Sequence, residues 1–446
     1  MKSLRILRSD AANIWTTALQ AVDPEIAVRK YVKRRGNILQ IDACRYDLDT
    51  IRRVWVLGAG KAAAPMGKAL EKILGRYLKG GFLATKYGHG SALKITEILE
   101  AGHPLPDKNS VVSADRIRSF VENRIEPADL VICVISGGAS SLMVAPSQGV
   151  TMEDKVRCSE ILMNAGASIH ELNCIRKHLS TIKGGGLAGL LRHARVAVLA
   201  LSDVVGDDMS TIASGPTAPD PTTFFDCLEV IKRLGVSDRI PPAVIKRFRQ
   251  GCAGRIEETL KPGDAVFRRV RSFIVGNGAL ACTAAVKAAK RMGYRSMVLA
   301  SRLEGDTSNA AGFHMSVVKE IVQENRPLRR PACIISGGET TVEVVGSGRG
   351  GRNQEFVLHC VPHLAALQAP AVVVSLGTDG TDGPTDAAGA VADNSSFTRS
   401  LKFGPAFLKE SLGNNDSHTY FRRLGDLIVT GPTRTNVMDL RIVLVG

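Results

Sequence analysis

"VWVLGAGKAAAPMGKAL", residues 54–70, decides how this chain folds. A β-branched apolar run leads into a glycine turn and then into a helical pattern, which predicts strand, turn and helix in that order. The spacing Gly58-x-Gly60-x-x-Ala63 satisfies the dinucleotide fingerprint, in which glycines let backbone N–H groups at a helix N-terminus approach a phosphate closely. That fingerprint also needs an acidic residue about 20 positions on, at the end of the next strand, to hold the ribose hydroxyls. Here the next strand, "GGFLATKYGHG" (80–90), contains no acid and ends at Lys86. Lys61 stands directly after the glycines and brings a cation to the place where phosphate oxygens would lie. The turn suits a phosphate, while the dinucleotide reading lacks half its support.

Working outward, short apolar strands alternate with helical segments from residue 54 onward, the pattern of parallel βαβ units in an α/β fold. Strand candidates followed by a polar loop recur at "LVICVISGGASS" (130–141), "VAVLALSDVVGDD" (196–208), "SFIVGNGA" (272–279), "ACIISGGETT" (332–341), "AVVVSLGTDGTDGPTD" (371–386) and "LIVTGPTRTN" (427–436). Ligands of open α/β sheets bind outside the carboxyl ends of the strands, so these loops predict an extensive polar cleft. The match between "ISGGASS" (135–141) and "ISGGETT" (335–341) points to two α/β halves. Between them, Pro241-Pro242, Gly251 and Gly254 interrupt short helical patterns, which places the division in 240–265 and the domains at 1–250 and 265–446.

The 446 residues allow two or three domains, and 44% hydrophobic with 23% charged residues is the composition of a soluble globular chain. A net charge of +15 raises the question of nucleic acid, but the basic residues are spread along the chain without aromatic interleaving. Small anionic substrates fit the charge at least as well. The nine cysteines stand singly, with no C-x-x-C pair, which argues for reduced thiols in a cytoplasm and against a disulfide framework or a zinc cluster. No apolar run approaches the ~20 residues of a membrane span.

Several loops carry chemistry. In "HELNCIRKHLSTIKGGGLAGLL" (170–191), Leu172, Ile175, Leu179 and Ile182 mark one face of an amphipathic helix. Arg176, Ser180 and Lys183 share another face, so two cations point the same way ahead of Gly184, Gly185 and Gly186. The structural alternative is a solvated face with a flexible cap. "LSDVVGDDMSTIASGPTAPDPTT" (201–223) sets Asp203 after an apolar strand, and "SLGTDGTDGPTD" (375–386) does the same for Asp379. A carboxylate there can hold Mg²⁺ or accept a proton from a hydroxyl; the alternative is a hydrogen-bonded turn aspartate. "GSGRGGRNQEF" (346–356) joins Arg349 and Arg352 to glycines and to Asn353, Gln354 and Glu355 at a helix start, an arrangement that suits an anion. His89, His103 and His178 lie in or beside turns without another histidine at ligand spacing, and read as hydrogen-bonding residues.

Taken in order, "GAGKAAAPM", "AGHPLPDKNSV", "ISGGASSLM", "LNCIRKHLSTIKGGGLA", "LSDVVGDDMSTIASGPTAPDPTT", "ISGGETTVEV", "GRGGRNQEF" and "GTDGTDGPTDAAG" make the chain resemble the class II glycerate 2-kinases, the family with a carboxy-terminal MOFRL domain. The resemblance runs over roughly residues 5–440. It implies a Rossmann-like parallel-sheet amino-terminal domain and a smaller α/β carboxy-terminal domain, with the site in the cleft between them. It also implies phosphorylation of (R)-glycerate at the 2-hydroxyl, with ATP and Mg²⁺ as cofactors. Lys61 and Arg352 would then act on the transferring phosphoryl group, and Asp203 and Asp379 on metal or proton. Gly58, Gly60, Ser136, Gly137, Gly138, Ser140, Ser141, Arg176, Lys183, Gly184, Gly185, Asn353 and Glu355 would bind substrate or nucleotide. The implied partners are small molecules, glycerate and ATP, with a homodimer admitted and neither nucleic acid nor membrane expected. At "LEGDTSNAAG" (303–312) the chain departs from the family's Glu-Gly-Glu-Ala-Arg, with Asp306 and Ser308 at the altered positions.

Two other classes compete with this reading. Similar sequences carry the description hydroxypyruvate reductase, an NAD(P)H-dependent activity that Lys61 and the missing acid near Lys86 oppose. A non-catalytic sugar-acid sensor would use the same anion loops without turning over ATP. Neither the Walker pattern nor the protein-kinase motif set occurs in the chain, so a nucleotide cradle must come from dispersed loops.

Overall fold

β1 (Val54–Ala59) is buried at all of its positions and leads through the glycine turn into α1 (Ala63–Leu74), as the opening stretch predicts. In the computed structural model, which describes residues 2–446, β1 is central to a six-stranded sheet with β2 (Leu78–Lys86), β3 (Thr96–Ala101), β4 (Leu130–Ser136), β5 (Arg195–Leu201) and β6 (Val270–Gly276). The order is β3-β2-β1-β4-β5-β6, and the pairings from β3 through β5 are parallel. Helices cover such sheets on both faces, which is why β1, β4 and β5 read as continuous apolar runs and not as alternating ones. Leu57, Cys133 and Val198 meet Ile182 and Leu187 in the core. The chain reverses direction across the sheet between β1 and β4, the point where doubly wound folds bind their ligands.

β1 and β4 can lie side by side at this point only because two residues of β1 and its turn lack side chains. A Cβ on Gly58 would stand 1.9 Å from the carbonyl oxygen of Val134, and one on Gly60 would stand 2.0 Å from Ser136 Oγ. The first obstacle is backbone and cannot rotate away.

The second sheet joins β7 (Arg295–Leu303), β8 (Ala332–Gly338), β9 (Ala371–Gly377), β10 (Gly389–Asp393), β11 (Leu427–Ile428) and β12 (Asp439–Val445) in the order β7-β8-β12-β9-β10-β11. Only β7 and β8 run parallel. β12 is antiparallel to both β8 and β9, and β10 and β11 continue antiparallel, so the expectation of parallel units throughout is corrected here. "LIVTGPTRTN" contributes only the two-residue edge strand β11, while β12 and β10 were not among the strand candidates.

The chain divides into the units Pro24–Val275 and Met1–Asp23 with Gly276–Gly446. The leading helix (Leu4–Ala21), which the sequence leaves free to pack on either domain, groups with the later residues, so the first unit does not begin at residue 1. It buries Leu7, Ala11, Ile14 and Ala18 against Ala285, Ala289 and Leu444, and Arg8 bonds Asp393 and Asp426. The later boundary falls at 275/276, beyond 240–265, because β6 is the edge strand of the first sheet. Among the described residues no helix is long and apolar enough to cross a membrane.

Gly58→Ala is expected to destabilise by about 3 kcal/mol or more, since overpacking against backbone cannot relax. Gly235→Ala also replaces a glycine at positive φ (66°), but meets nothing within 4 Å, and should cost only about 1 kcal/mol. Thermal melts of the two variants separate the cases; equal losses would mean that the strands can move apart.

Candidate active site

The loops after β1 and β4 are tied to each other. Lys61 N–H donates to the Gly137 carbonyl (2.9 Å), and Ala62 N–H, at the start of α1, donates to Ser136 Oγ (3.0 Å). The hydroxyl of Ser136 occupies the space that Gly60 leaves open. Gly58 and Gly60 thus serve the closure of the sheet, and the N–H offered first by the α1 terminus is taken by the protein itself. What the turn adds is the Lys61 side chain. Beyond β4, Gly138 turns the chain at a left-handed φ of 86° into the short helix Ala139–Leu142. A Cβ there would stand 2.8 Å from the His103 ring and 3.4 Å from Lys61 Cγ, so these three residues meet at one place.

A cavity of about 470 Å³ opens beside it. Its wall includes His103, Gly138, Ser140 and Ser141 together with three cations, Lys155, Arg176 and Lys183. Lys183 Nζ donates to Ser140 O (2.7 Å) and Oγ (2.6 Å); Ser140 Oγ lies 3.1 Å from Ser214 Oγ, which donates to Asn173 Oδ1 (2.8 Å). Lys155 Nζ donates to the Leu179 carbonyl (2.6 Å). Among the described residues no carboxylate pairs with any of the three cations. Burial accordingly pushes Lys155 down to about 7, with Arg176 and Arg247 repelling its charge. Burial, with repulsion from Lys155 and Arg176, pushes Lys183 well below the ordinary lysine range, and burial lowers Arg176 as well. Buried like charges without a counter-charge are costly, and an anion in the cavity would relieve all three.

Arg176 and Lys183 come together by a different route from the one predicted. The helix α3 (Ile169–His178) ends before Ser180 and Lys183, which lie in the following turns. Gly184 and Gly185 are not a flexible cap: their N–H groups bond Ser214 O (3.1 Å) and Gly215 O (2.8 Å), and Leu260 and Phe267 close over Gly185. Lys155 and His103 were missed as cavity residues. For Lys155 the signal existed: on α2 (Met152–Asn164) it shares the buried face of Cys158 and Leu162 at i, i+3 and i+7, where an apolar residue is the default.

Of the acidic candidates, Asp203 lies in the loop after β5. Asp379 Oδ1 accepts from the N–H (3.0 Å) and hydroxyl (2.9 Å) of Thr381, which is the turn role. Asp379, Arg352, Asn353 and Glu355 belong to the Gly276–Gly446 part, and Lys61, Ser136–Ser141, Arg176, Lys183 and Asp203 to Pro24–Val275. Arg352 opens α4 (Arg352–Ala365) and holds Asp439 through a fork, Nε to Oδ2 (2.7 Å) and Nη2 to Oδ1 (3.0 Å), while Nη1 pairs with Glu339 (2.6 Å). Burial opposes the charge, and these carboxylates more than restore it. Asn353 is locked by Asp382, Asp439 and Ser375. Asp382 also accepts the N–H groups of Asn353 and Gln354 at the helix start. Burial lifts Glu355 to about 7. In this structure Asp439 and Glu339 face Arg352, and Asp382 faces the first N–H groups of α4. Asp306, at the departure from the family pattern, caps the helix Thr307–Glu324.

Arg352→Lys keeps the charge but cannot make both bonds to the buried Asp439 carboxylate, and a loss of about 1–3 kcal/mol is expected. A melting temperature equal to that of the wild type would show that the fork does not hold this part together.

Residues 10–249 match the model described as Domain of unknown function (DUF4147), and residues 332–439 match the MOFRL family. The chain is 37% identical to the Glycerate 2-kinase of Pyrococcus horikoshii, over 96% of this chain and 95% of that protein. It is 37% identical to the D-glycerate 2-kinase of Thermotoga maritima, over 98% of each. A protein of Agrobacterium vitis bearing a hydroxypyruvate reductase name is 38% identical over 97% of this chain and 93% of its own. The crystal structure of glycerate kinase from Thermotoga maritima superimposes with a TM-score of 0.86 at 36% identity, covering 99% of this chain and 100% of that one. With both domain models matched in sequence order and kinase relatives aligned from end to end, the chain belongs to the glycerate 2-kinase family that joins a DUF4147 domain to a MOFRL domain.

Proposed function

We propose that the protein transfers the γ-phosphoryl group of ATP to the 2-hydroxyl of (R)-glycerate, giving 2-phosphoglycerate and ADP. The observation that carries this reading is the cavity wall of Lys155, Arg176 and Lys183, three cations that no carboxylate pairs with, although Glu160 lines the same cavity, beside the switch point of a parallel sheet. Phosphoryl transfer asks a protein chiefly for positioning and for charge to meet charge. In this reading the three cations and the Ser140 hydroxyl hold the carboxylate of the acid. Lys61, beside Gly138 at the cavity edge, meets phosphoryl oxygens. Asp203 accepts the hydroxyl proton or serves the metal. Its loop offers Asp203, Asp207 and Asp208, hard oxygen donors of the type Mg²⁺ takes, although Asp208 already holds Ser210 and Thr211. Mg²⁺, when bound with the nucleotide, neutralises phosphate charge. Arg352, balanced by Asp439 and Glu339, positions its own neighbourhood.

The reductase reading finds less support. β2 ends at Lys86 without a ribose-holding acid, and the Ala62 N–H that a pyrophosphate would need is bonded to Ser136.

Incubation with (R)-glycerate, ATP and Mg²⁺ should yield the 2-phosphate, identified by phosphorus NMR, and hydroxypyruvate should not oxidise NADH or NADPH. Formation of the 3-phosphate, or enzyme-dependent loss of nicotinamide absorbance, would overturn the assignment. Lys61→Ala should retain the fold and lose two or more orders of magnitude in turnover, about 3–4 kcal/mol. Near wild-type turnover would remove Lys61 from the chemistry.

The pH dependence follows from Lys155. Its depressed value means that the free cavity loses a proton as pH rises through about 7, whereas an anion keeps the proton on. Glycerate binding is then coupled to proton uptake, and KM should rise with pH above about 7. Lys155→Met should raise KM at pH 6 and flatten the profile; an unchanged slope in that variant would locate the proton elsewhere.

A further inference from the structure

The absence of C-x-x-C pairs argues against a zinc cluster in the sequence, but the fold brings two cysteines and a histidine together. Cys174 and His178 stand four apart on α3, and therefore on one face. A separate helix, Phe224–Arg233, brings Cys227 against them. We propose that Cys174, His178 and Cys227 bind a thiophilic divalent cation, Zn²⁺, with the Asp220 carboxylate completing the set.

The geometry is specific. The two sulfurs lie 3.5 Å apart, and one ligand atom from each of the three residues falls within 4.8 Å of the others. His178 Nδ1 and the Cys227 thiol both approach the Cys174 carbonyl, at 2.8 and 3.7 Å. Asp220 Oδ2 lies 3.8 Å from that same Nδ1. Metal–sulfur bonds of about 2.3 Å and metal–nitrogen or –oxygen bonds of about 2.0 Å in a tetrahedron place ligand atoms roughly 3.3–3.8 Å apart, so small side-chain shifts suffice. The other ring nitrogen, Nε2, is 3.0 Å from Glu258 Oε2, the carboxylate–histidine arrangement that orients a metal-bound imidazole. Two sulfurs and an imidazole select a borderline-soft ion and not Mg²⁺. Cys174, His178 and Cys227 are 4%, 1% and 0% exposed, and Asp220 is fully buried. Asp220 also holds Lys177 (3.2 Å) and Thr222 through Oδ1 and accepts from the Thr259 hydroxyl at Oδ2 (2.9 Å), so ligation through Oδ2 would displace that hydroxyl.

On binding, each thiol gives its proton to solvent as the sulfur–metal bond forms; His178 Nδ1 also releases its proton to solvent, keeps Nε2–H on Glu258, and exchanges the Cys174 carbonyl for the ion. The site joins α3, the helix of Cys227 and the segment of Glu258. Arg176 lies on α3 between two of the ligands, so the metal would anchor the helix that presents this cation to the cavity.

The test uses the full chain, reduced with a phosphine and stripped with a chelator, then titrated with Co²⁺ and back-titrated with Zn²⁺. The expected result is one Co²⁺ per chain, with a near-ultraviolet sulfur-to-cobalt charge-transfer band and intense visible bands of tetrahedral cobalt, all abolished by one equivalent of Zn²⁺. Zn²⁺ should also raise the melting temperature, since it binds the folded state. Cys227→Ser should weaken the charge-transfer band. No such band in wild-type protein whose thiols are verified as reduced would overturn the proposal, whatever the variant does. Bands that persist in the Cys174→Ser/Cys227→Ser double variant would overturn it too. So would a protein isolated with these cysteines as a disulfide that takes up no metal once reduced.

Discussion

The separation of β1 from β4 governs the edge of the parallel sheet where the candidate site forms. The Val134 carbonyl stands where a side chain on Gly58 would be, and the Ser136 hydroxyl stands where one on Gly60 would be. From that closeness follow the bonds of Ser136 to the Ala62 N–H and of Lys61 to the Gly137 carbonyl, which fuse two loops into one support. The meeting of Lys61, His103 and Gly138 depends on the same support. The glycines that look like a ligand cradle are thus a condition of strand packing, and the site inherits its geometry from them.

The protein handles buried charge in two opposite ways. Around β12, Arg352 and Arg441 share Asp439, Arg441 also reaches Thr340, and Asp382 satisfies the start of α4. In that network carboxylates face the positive groups, although Arg441 keeps Nε and Nη1 buried without a hydrogen-bond partner and burial lowers its affinity for the proton. Around the cavity, Lys155, Arg176 and Lys183 repel one another and are left to a carbonyl, a hydroxyl and a void. Strain of that sort belongs at sites that wait for a partner.

The centre of the parallel sheet was legible because β1, β4 and β5 are buried on both faces and read as apolar runs, whereas the partly exposed β3 was not among the strand candidates. β12 was not, because Arg441 interrupts its run; nothing local shows that Asp439 and Thr340 take up the charge. Lys61, Arg176, Lys183 and the Ser136–Ser141 loop were legible as candidates from residue type beside glycine. Their real partners were not, because Ser136 reaches Ala62 across 74 positions and Lys183 reaches Ser140 across 43. The Asp439 carboxylate that Arg352 holds was not legible for the same reason, lying 87 positions away. Cys227 joins Cys174 only through the packing of two helices, a pairing that no spacing rule contains.

β12 lies between β8 and β9, yet it follows every other strand of its sheet along the chain. During synthesis, β8 and β9 leave the ribosome before the strand that must separate them. Their facing edges, with unpaired backbone groups and apolar side chains, stay exposed meanwhile. The leading helix, made first, has its apolar face waiting on the same event, since Leu444 is among the residues that bury it. The parallel sheet of Pro24–Val275 is contiguous and has all its strands long before then. The second sheet can therefore close only once β12 has been made, whereas the strands of the first are complete earlier along the chain.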